Sequence, residues 1–332
     1  MDHPFAQFVR ILGKGPGASR DLTAEEAIEA FGMILRDEVE PLQLGAFLCL
    51  MRYKKETPVE LAGFVEAVRR EVAAPADIGA QLDWPSYADR HQQMPWFILA
   101  ALLLAQNGVP VFMHGIAGYD AGFMPTRRGL AAMGIRPASN WDTVREELRQ
   151  RGFSYLGLED FAPQLQKLFQ LRPLLGLRSP VNSLAREMNP AAAPSQMQGV
   201  FHPTYCLPHR EAGLILGQPN LAVFKGGGGE VQCNPYKPVK VAGIQDGAAY
   251  EEDWPASLSG PVYRWRDEPL DATRLPALWR SELDFEPAEV AIRDTVAIAL
   301  KLTGQAHDQT QARELAARLW QDRDRGAYPA SE

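Results

Sequence analysis

Between Leu171 and Tyr205 the chain gathers residue types that hold phosphate. Arg172, Arg178 and Arg186 flank Gly176 and the Ser179-Pro180-Val181-Asn182 segment, and Asn189-Pro190 follows. A guanidinium presents a fork of donors that matches phosphate oxygens better than an ammonium does. Further on, the apolar run Leu221–Phe224 leads into Lys225, four glycines from Gly226 to Gly229, and Glu230. A lysine followed by unencumbered amides can form an anion nest, with Gly226, Gly227 and Gly228 as its donors. Four glycines after a strand serve equally well as a plain turn. Arg127 and Arg128 stand just beyond His114-Gly115, where a short apolar run ends. A histidine at such a strand end occupies the favoured ligand position of an open α/β sheet, although a structural histidine fits there too. Paired arginines are also ordinary on a solvated face.

Two other groupings are weaker. His202, Cys206 and His209 bring zinc-ligand types together in a stiff, proline-bearing loop, but structural zinc requires four well-spaced ligands. A packed loop with hydrogen-bonded histidines is the expectation, and no metal site is expected. Tyr87, Trp96, Tyr119 and Tyr205 offer faces for base stacking, while core or rim packing would use them as well.

The elements that position these residues can be read from punctuation and period. Thr23–Glu26 is a capping-box start, and Ile28, Phe31 and Ile34 share one face. A second helix is predicted over 41–53, and a third begins at Thr57 with Pro58 in its first turn. From Pro95 to Gln106 the chain reads as a buried helix stopped by Asn107-Gly108, followed by a strand over 109–113. Alternation continues through 130–133, 144–151, 153–156, 214–216 and 221–225, which predicts α/β architecture with a mostly parallel sheet. Segments 288–302 and 310–320 are amphipathic, with Asp294 expected on the solvated face.

At 332 residues and 46% hydrophobic content the chain can bury a large core plus a smaller one. A formal charge of -7 supplies no global field toward nucleic acid or membranes, so polyanion binding has to come from a local patch. The opening residues have no charged n-region before an apolar run, and the longest apolar stretch is too short to span a bilayer. Three widely spaced cysteines argue against a disulfide framework. A cytoplasmic protein without membrane association is expected.

The residues around these motifs resemble the anthranilate phosphoribosyltransferase-like proteins of glycosyltransferase family 3. Arg172, Leu175, Gly176, Arg178, Asn182, Asn189 and Pro190 keep the places of that family's hinge, and Met113-His114-Gly115 resembles its Lys-His-Gly-Asn motif. The resemblance implies that fold, shared with pyrimidine nucleoside phosphorylases. It implies a small helical, dimerising domain over 1–76 plus about 162–187, and a large α/β domain over 77–161 and 188–332. It also places Arg172, Arg178 and Arg186 in a hinge facing the cleft. The family's glycine loop, which cradles a diphosphate, is replaced here by Leu82–Arg90, which contains no glycine. Gly229 stands where the family has a metal-binding aspartate, and Glu230 keeps the other carboxylate.

The departures themselves resemble the divergent YbiB-type branch, which is taken to bind nucleic acid. The implied function is sequence-nonspecific binding of DNA or RNA in a basic cleft formed by Arg127, Arg128, Arg172, Arg178, Arg186, Lys225 and Gly226–Gly228, with His114, Asn182 and Glu230 beside them. The implied protein is a homodimer without cofactor, with magnesium needed only if transferase activity survives. The alternative is a phosphoribosyl-type transferase acting on an unidentified substrate, with a small phosphorylated ligand in the cleft. A metabolite sensor or partner-binding protein is a third class.

Overall fold

The computed structural model describes residues 2–72, 74–88, 91–119 and 121–328. Four helices lead: α1 (Ala6–Gly13), α2 (Ala24–Leu35), α3 (Pro41–Lys54) and α4 (Pro58–Glu71). Sequence reasoning expects three of them. α1 begins at Phe5, which makes no capping bond, so it carries no start signal. Thr23 and Thr57 form the expected reciprocal capping boxes with Glu26 and Glu60. Phe5, Phe8, Phe31, Phe47 and Phe64 interlock in the bundle core, mostly edge to face.

Seven strands form one sheet: β1 (Leu82–Ser86), β2 (Val111–Gly115), β3 (Phe153–Gly157), β4 (Ser195–Val200), β5 (Asn220–Lys225), β6 (Val239–Gln245) and β7 (Ala248–Trp254). Their order is β3-β2-β1-β4-β5-β6-β7. The first five are parallel, and β6 and β7 are antiparallel additions. The order in which strands are added switches sides of β1 at β4, so the carboxyl ends of those two strands flank the crevice that such sheets use for ligands. One sheet face packs on α5 (Phe97–Gln106), apolar on every side, and on the long helix Glu286–Leu302. The other face shares a core with the bundle and with the helices between Leu158 and Glu187.

Two expectations need correction, and one hairpin was not among the expectations. Residues 214–216 are not a strand; they close the helix Cys206–Ile215, whose Ala212 and Gly213 are buried while Ile215 is exposed. A three-residue apolar run does not distinguish a strand from a helix end. The β6–β7 hairpin went unread although Asp246-Gly247, both at positive φ, is a strong hairpin-turn signal. Asp294 is half-buried and accepts a hydrogen bond from Ser257 at 2.7 Å, so it is not on a solvated face.

Candidate functional site

The carboxyl end of β1 is closed by side chains. Tyr87 is fully buried, stacked on Phe169, and its hydroxyl shares a 2.7 Å hydrogen bond with Nδ1 of His114. Nε2 of His114 lies 3.1 Å from Oδ1 of Asp83, and both residues are inaccessible. Oδ2 of Asp83 accepts from Nε2 of Gln196 at 2.8 Å. Gln198 donates to Gln196 at 2.9 Å, and Gln198 Oε1 lies 2.8 Å from Nδ1 of His209. That nitrogen is also 2.6 Å from Oε1 of Glu187, another buried carboxylate. A chain of polar groups thus crosses β2, β1 and β4 under the bundle, with every member buried. Burial drives the Tyr87 phenol well above its ordinary range, so it stays neutral. His114 and His209 are therefore structural, and Tyr87 and Trp96 are too buried to stack on a base. The Tyr205 hydroxyl accepts from Arg52 at 3.2 Å.

Glu230 sits beside this closure. Its Oε1 accepts from the Ala88 amide at 2.6 Å, while buried Oε2 has no hydrogen-bond partner among the described residues. Burial pushes its carboxyl up to about 7, partly offset by Arg186 and by the Ala88 amide. These residues do not suit magnesium. One enclosed carboxylate already bonded to an amide, next to a glycine instead of an aspartate, lacks the open oxygen ligands that a hard cation requires. Among the described residues no group of three or more histidine, cysteine or acidic side chains could hold a metal ion.

The glycine run proves to be a tightly packed turn with most of its amides facing inward. Gly226 donates to Val200, Gly227 to Gln232 and Gly229 to Gly226. A Cβ on Gly226 would lie 1.7 Å from the Glu230 carbonyl oxygen, and one on Gly228 would lie 2.6 Å from His91 Nδ1. Close packing is therefore sufficient reason for glycine, and among the described residues the Gly228 amide alone of the four has no backbone acceptor.

The hinge arginines do come together. Arg178 depresses the ionisation of both Arg172 and Arg186, after burial as the larger cause in each. Arg186 lies under the glycine turn, donating to the carbonyls of Asn182 and of Gly199 (3.1 Å). It is tied to backbone rather than held out for a ligand. Arg127 is bonded to Glu159 and lies 5.7 Å from the Tyr155 ring centroid. Arg128 is exposed on the short helix Thr126–Ala132, facing Asp271.

Beside the glycine turn lies a groove of about 930 Å³ to which the sequence motifs contribute Lys225–Gly228, His202 and Cys206. Lys225, Lys237, Lys240, Arg264 and Arg266 line it, against only Glu251 and Asp267, a net of three positive charges on a chain of net -7. Lys240 pairs with Glu251 at 2.7 Å and Arg264 with Asp267 at 3.6 Å. Lys225, Lys237 and Arg266 have no carboxylate partner among the described residues. Phe201, His202, Leu207, Val262 and Tyr263 add apolar and aromatic lining. The signal that could have revealed it is the alternation of cations with apolar or aromatic residues at Lys237–Lys240 and Arg264–Arg266.

Residues 7–72 match the family model described as glycosyl transferase family, helical bundle domain. Over 315 residues the chain is 30% identical to an anthranilate phosphoribosyltransferase of Gluconobacter oxydans, covering 90% of this chain and 85% of that protein. It is 28% identical over 238 residues to the uncharacterized protein YbiB of Escherichia coli, covering 70% and 74%. The fold superposes on anthranilate phosphoribosyltransferase from Thermus thermophilus with a TM-score of 0.79 at 22% identity, over 96% of this chain and 94% of that one. It superposes on the Saccharomyces cerevisiae enzyme in complex with PRPP and Mg with a TM-score of 0.76 at 14% identity, over 97% and 94%. Sequence and fold together make this chain a member of the anthranilate phosphoribosyltransferase-like family.

Proposed function

We propose that this protein binds nucleic acid without strong sequence preference, through phosphate contacts along the basic groove and the adjoining hinge. The observation that carries the reading is the concentration of net positive charge in one groove on an acidic protein. Three of its cations lack carboxylate partners among the described residues, so bringing phosphate to them breaks no ion pair described there. Their binding energy is electrostatic and indifferent to base sequence. Arg172 and Arg178 add positive charge near Arg186, which holds that turn in place.

Phosphoribosyl transfer has little support in the same geometry. A diphosphate cradle after β1 needs amides, but Tyr87 fills the strand end and the Ala88 amide is bonded to Glu230. No useful conversion of anthranilate and phosphoribosyl diphosphate is expected. Turnover near one per second, ordinary for enzymes, would reverse that conclusion.

The working form in this reading is a homodimer joined through the bundle. Leu42 and Tyr53, 86% and 92% exposed, lie three turns apart on one face of α3, and Leu174 is 83% exposed. A two-fold partner would cover such a face.

The test is fluorescence anisotropy of random-sequence oligonucleotides between about 50 and 200 mM salt. Each phosphate contact contributes a log–log slope of about -0.7 to -0.9. Replacing Lys225, Lys237 and Arg266 together by alanine should reduce that slope by about 2 to 2.7 units. Salt-insensitive binding, or an unchanged slope in the triple variant, refutes the proposal.

A further inference from the structure

We infer that the groove beside the glycine turn is a nucleoside-phosphate site, with a phosphate subsite at the turn and an apolar slot for one base. The assignment builds on the reading of the groove as phosphate-binding and specifies what a single bound nucleotide touches.

The phosphate subsite rests on three donors. Lys225 is exposed at the end of β5 and has no carboxylate partner among the described residues. The Gly228 amide, at φ 66°, has no carbonyl to serve among the described residues, unlike the three glycine amides around it. Gln232 is 1% exposed yet lines the groove. Its Oε1 accepts from the Phe97 amide at 3.0 Å, which fixes the side-chain orientation and leaves Nε2 as the end directed at the turn. That nitrogen lies 3.4 Å from where a Cβ on Gly227 would be. An amide fixed by its oxygen, whose donor end has no acceptor among the described residues, is suited to an anionic oxygen.

The base slot rests on apolar exposure. Phe201, Leu207 and Val262 are 44%, 46% and 50% exposed, and all three line this groove. The Phe201 ring is braced edge-on against His202 at 4.8 Å between centroids. Cys233 and Ala242, both buried, add small apolar lining to the same groove. A purely phosphate-reading surface has no use for these side chains, whereas a nucleobase beside a phosphate uses both parts. The ligand chemistry is a nucleoside phosphate, whether free or one residue of a polymer.

Calorimetric titration of the full chain with AMP, ribose 5-phosphate and a 5′-phosphorylated decanucleotide tests the assignment. AMP should bind about tenfold tighter than ribose 5-phosphate, the share expected from base stacking. Phe201→Ala should remove that margin while leaving ribose 5-phosphate binding intact. Gln232→Glu keeps the acceptor for Phe97 and removes the donor, so it should weaken both ligands; a thermal melt verifies that this variant folds. Displacement of AMP by the decanucleotide places the polymer in the same groove. AMP binding with its margin, but no binding of the decanucleotide, keeps this inference and refutes the nucleic-acid reading. Decanucleotide binding, with AMP and ribose 5-phosphate equal or with Phe201→Ala inert, overturns the inference and leaves that reading standing. If nothing binds, both fall.

Discussion

Asp83→Asn is expected to destabilise the protein severely without altering nucleic-acid affinity. The carboxylate is inaccessible, lies 3.1 Å from His114 Nε2 and accepts from Gln196 at 2.8 Å. It also supports the charge of Arg69, a largely buried α4 guanidinium that donates to the Met188 carbonyl at 2.6 Å. Asparagine has nearly the same shape, so the loss is electrostatic. One partner of a buried charged arrangement disappears while the others remain enclosed, which costs about 3 to 5 kcal/mol. Tyr87→Phe removes only a hydroxyl and leaves His114 Nδ1 short of one bond, costing about 1 to 3 kcal/mol. Urea unfolding near pH 7 should rank Asp83→Asn well below Tyr87→Phe and both below the parent. Oligonucleotide affinity at fixed salt should stay within about twofold for both, because neither group reaches the groove. An Asp83→Asn protein within about 1 kcal/mol of the parent would refute the view of this chain as structural. So would a loss of binding that matched the loss of stability.

Three further outcomes follow. Glu230 titrates near 7 when folded and near 4.3 when unfolded, so the folded state holds a proton that the unfolded chain has released. Stability is therefore complete below the unfolded value and falls, by at most about 3 kcal/mol, as pH rises to about 7; Glu230→Gln should abolish that decline in urea melts taken from pH 5 to 8. Gly226→Ala drives a methyl onto the Glu230 carbonyl and should cost about 2 to 3 kcal/mol in the same assay. Tyr53→Glu should shift the light-scattering mass from dimer to monomer, and a parent protein already monomeric at micromolar concentration would exclude the bundle interface.

Much of the scaffold was legible because local signals and tertiary outcome agree. The threonine capping boxes, the all-apolar α5 and the strand ending at His114-Gly115 each announce themselves within a dozen residues. The Leu82–Arg90 segment contains no glycine and Pro85 has no amide hydrogen, which can be read without a structure; Asp89 and Arg90 lie outside the described residues. The site was harder, because its chemistry depends on pairings between distant residues. Nothing near Arg127 says that Glu159 will bind it, and nothing in four glycines says which way their amides will face. The groove's cations come from separate segments that meet only after β6 has paired with β5. Isolated lysines there look like ordinary surface charge.

The placement of β1 also bears on how the chain emerges from synthesis. β2 can pair with it early, but its other neighbour, β4, is made roughly 110 residues later, an interval of about 5 to 20 s at ordinary translation rates. During that interval β1 is a temporary sheet margin with open hydrogen-bonding groups, the kind of edge that recruits other nascent chains. Asp83 lies on the strand register that later meets Gln196, and Pro85 offers no amide to a foreign strand. A charge and a proline on a waiting edge act as gatekeepers against misassembly. The residues that stand in place of a phosphate cradle thus also shield the most exposed strand of an unfinished sheet.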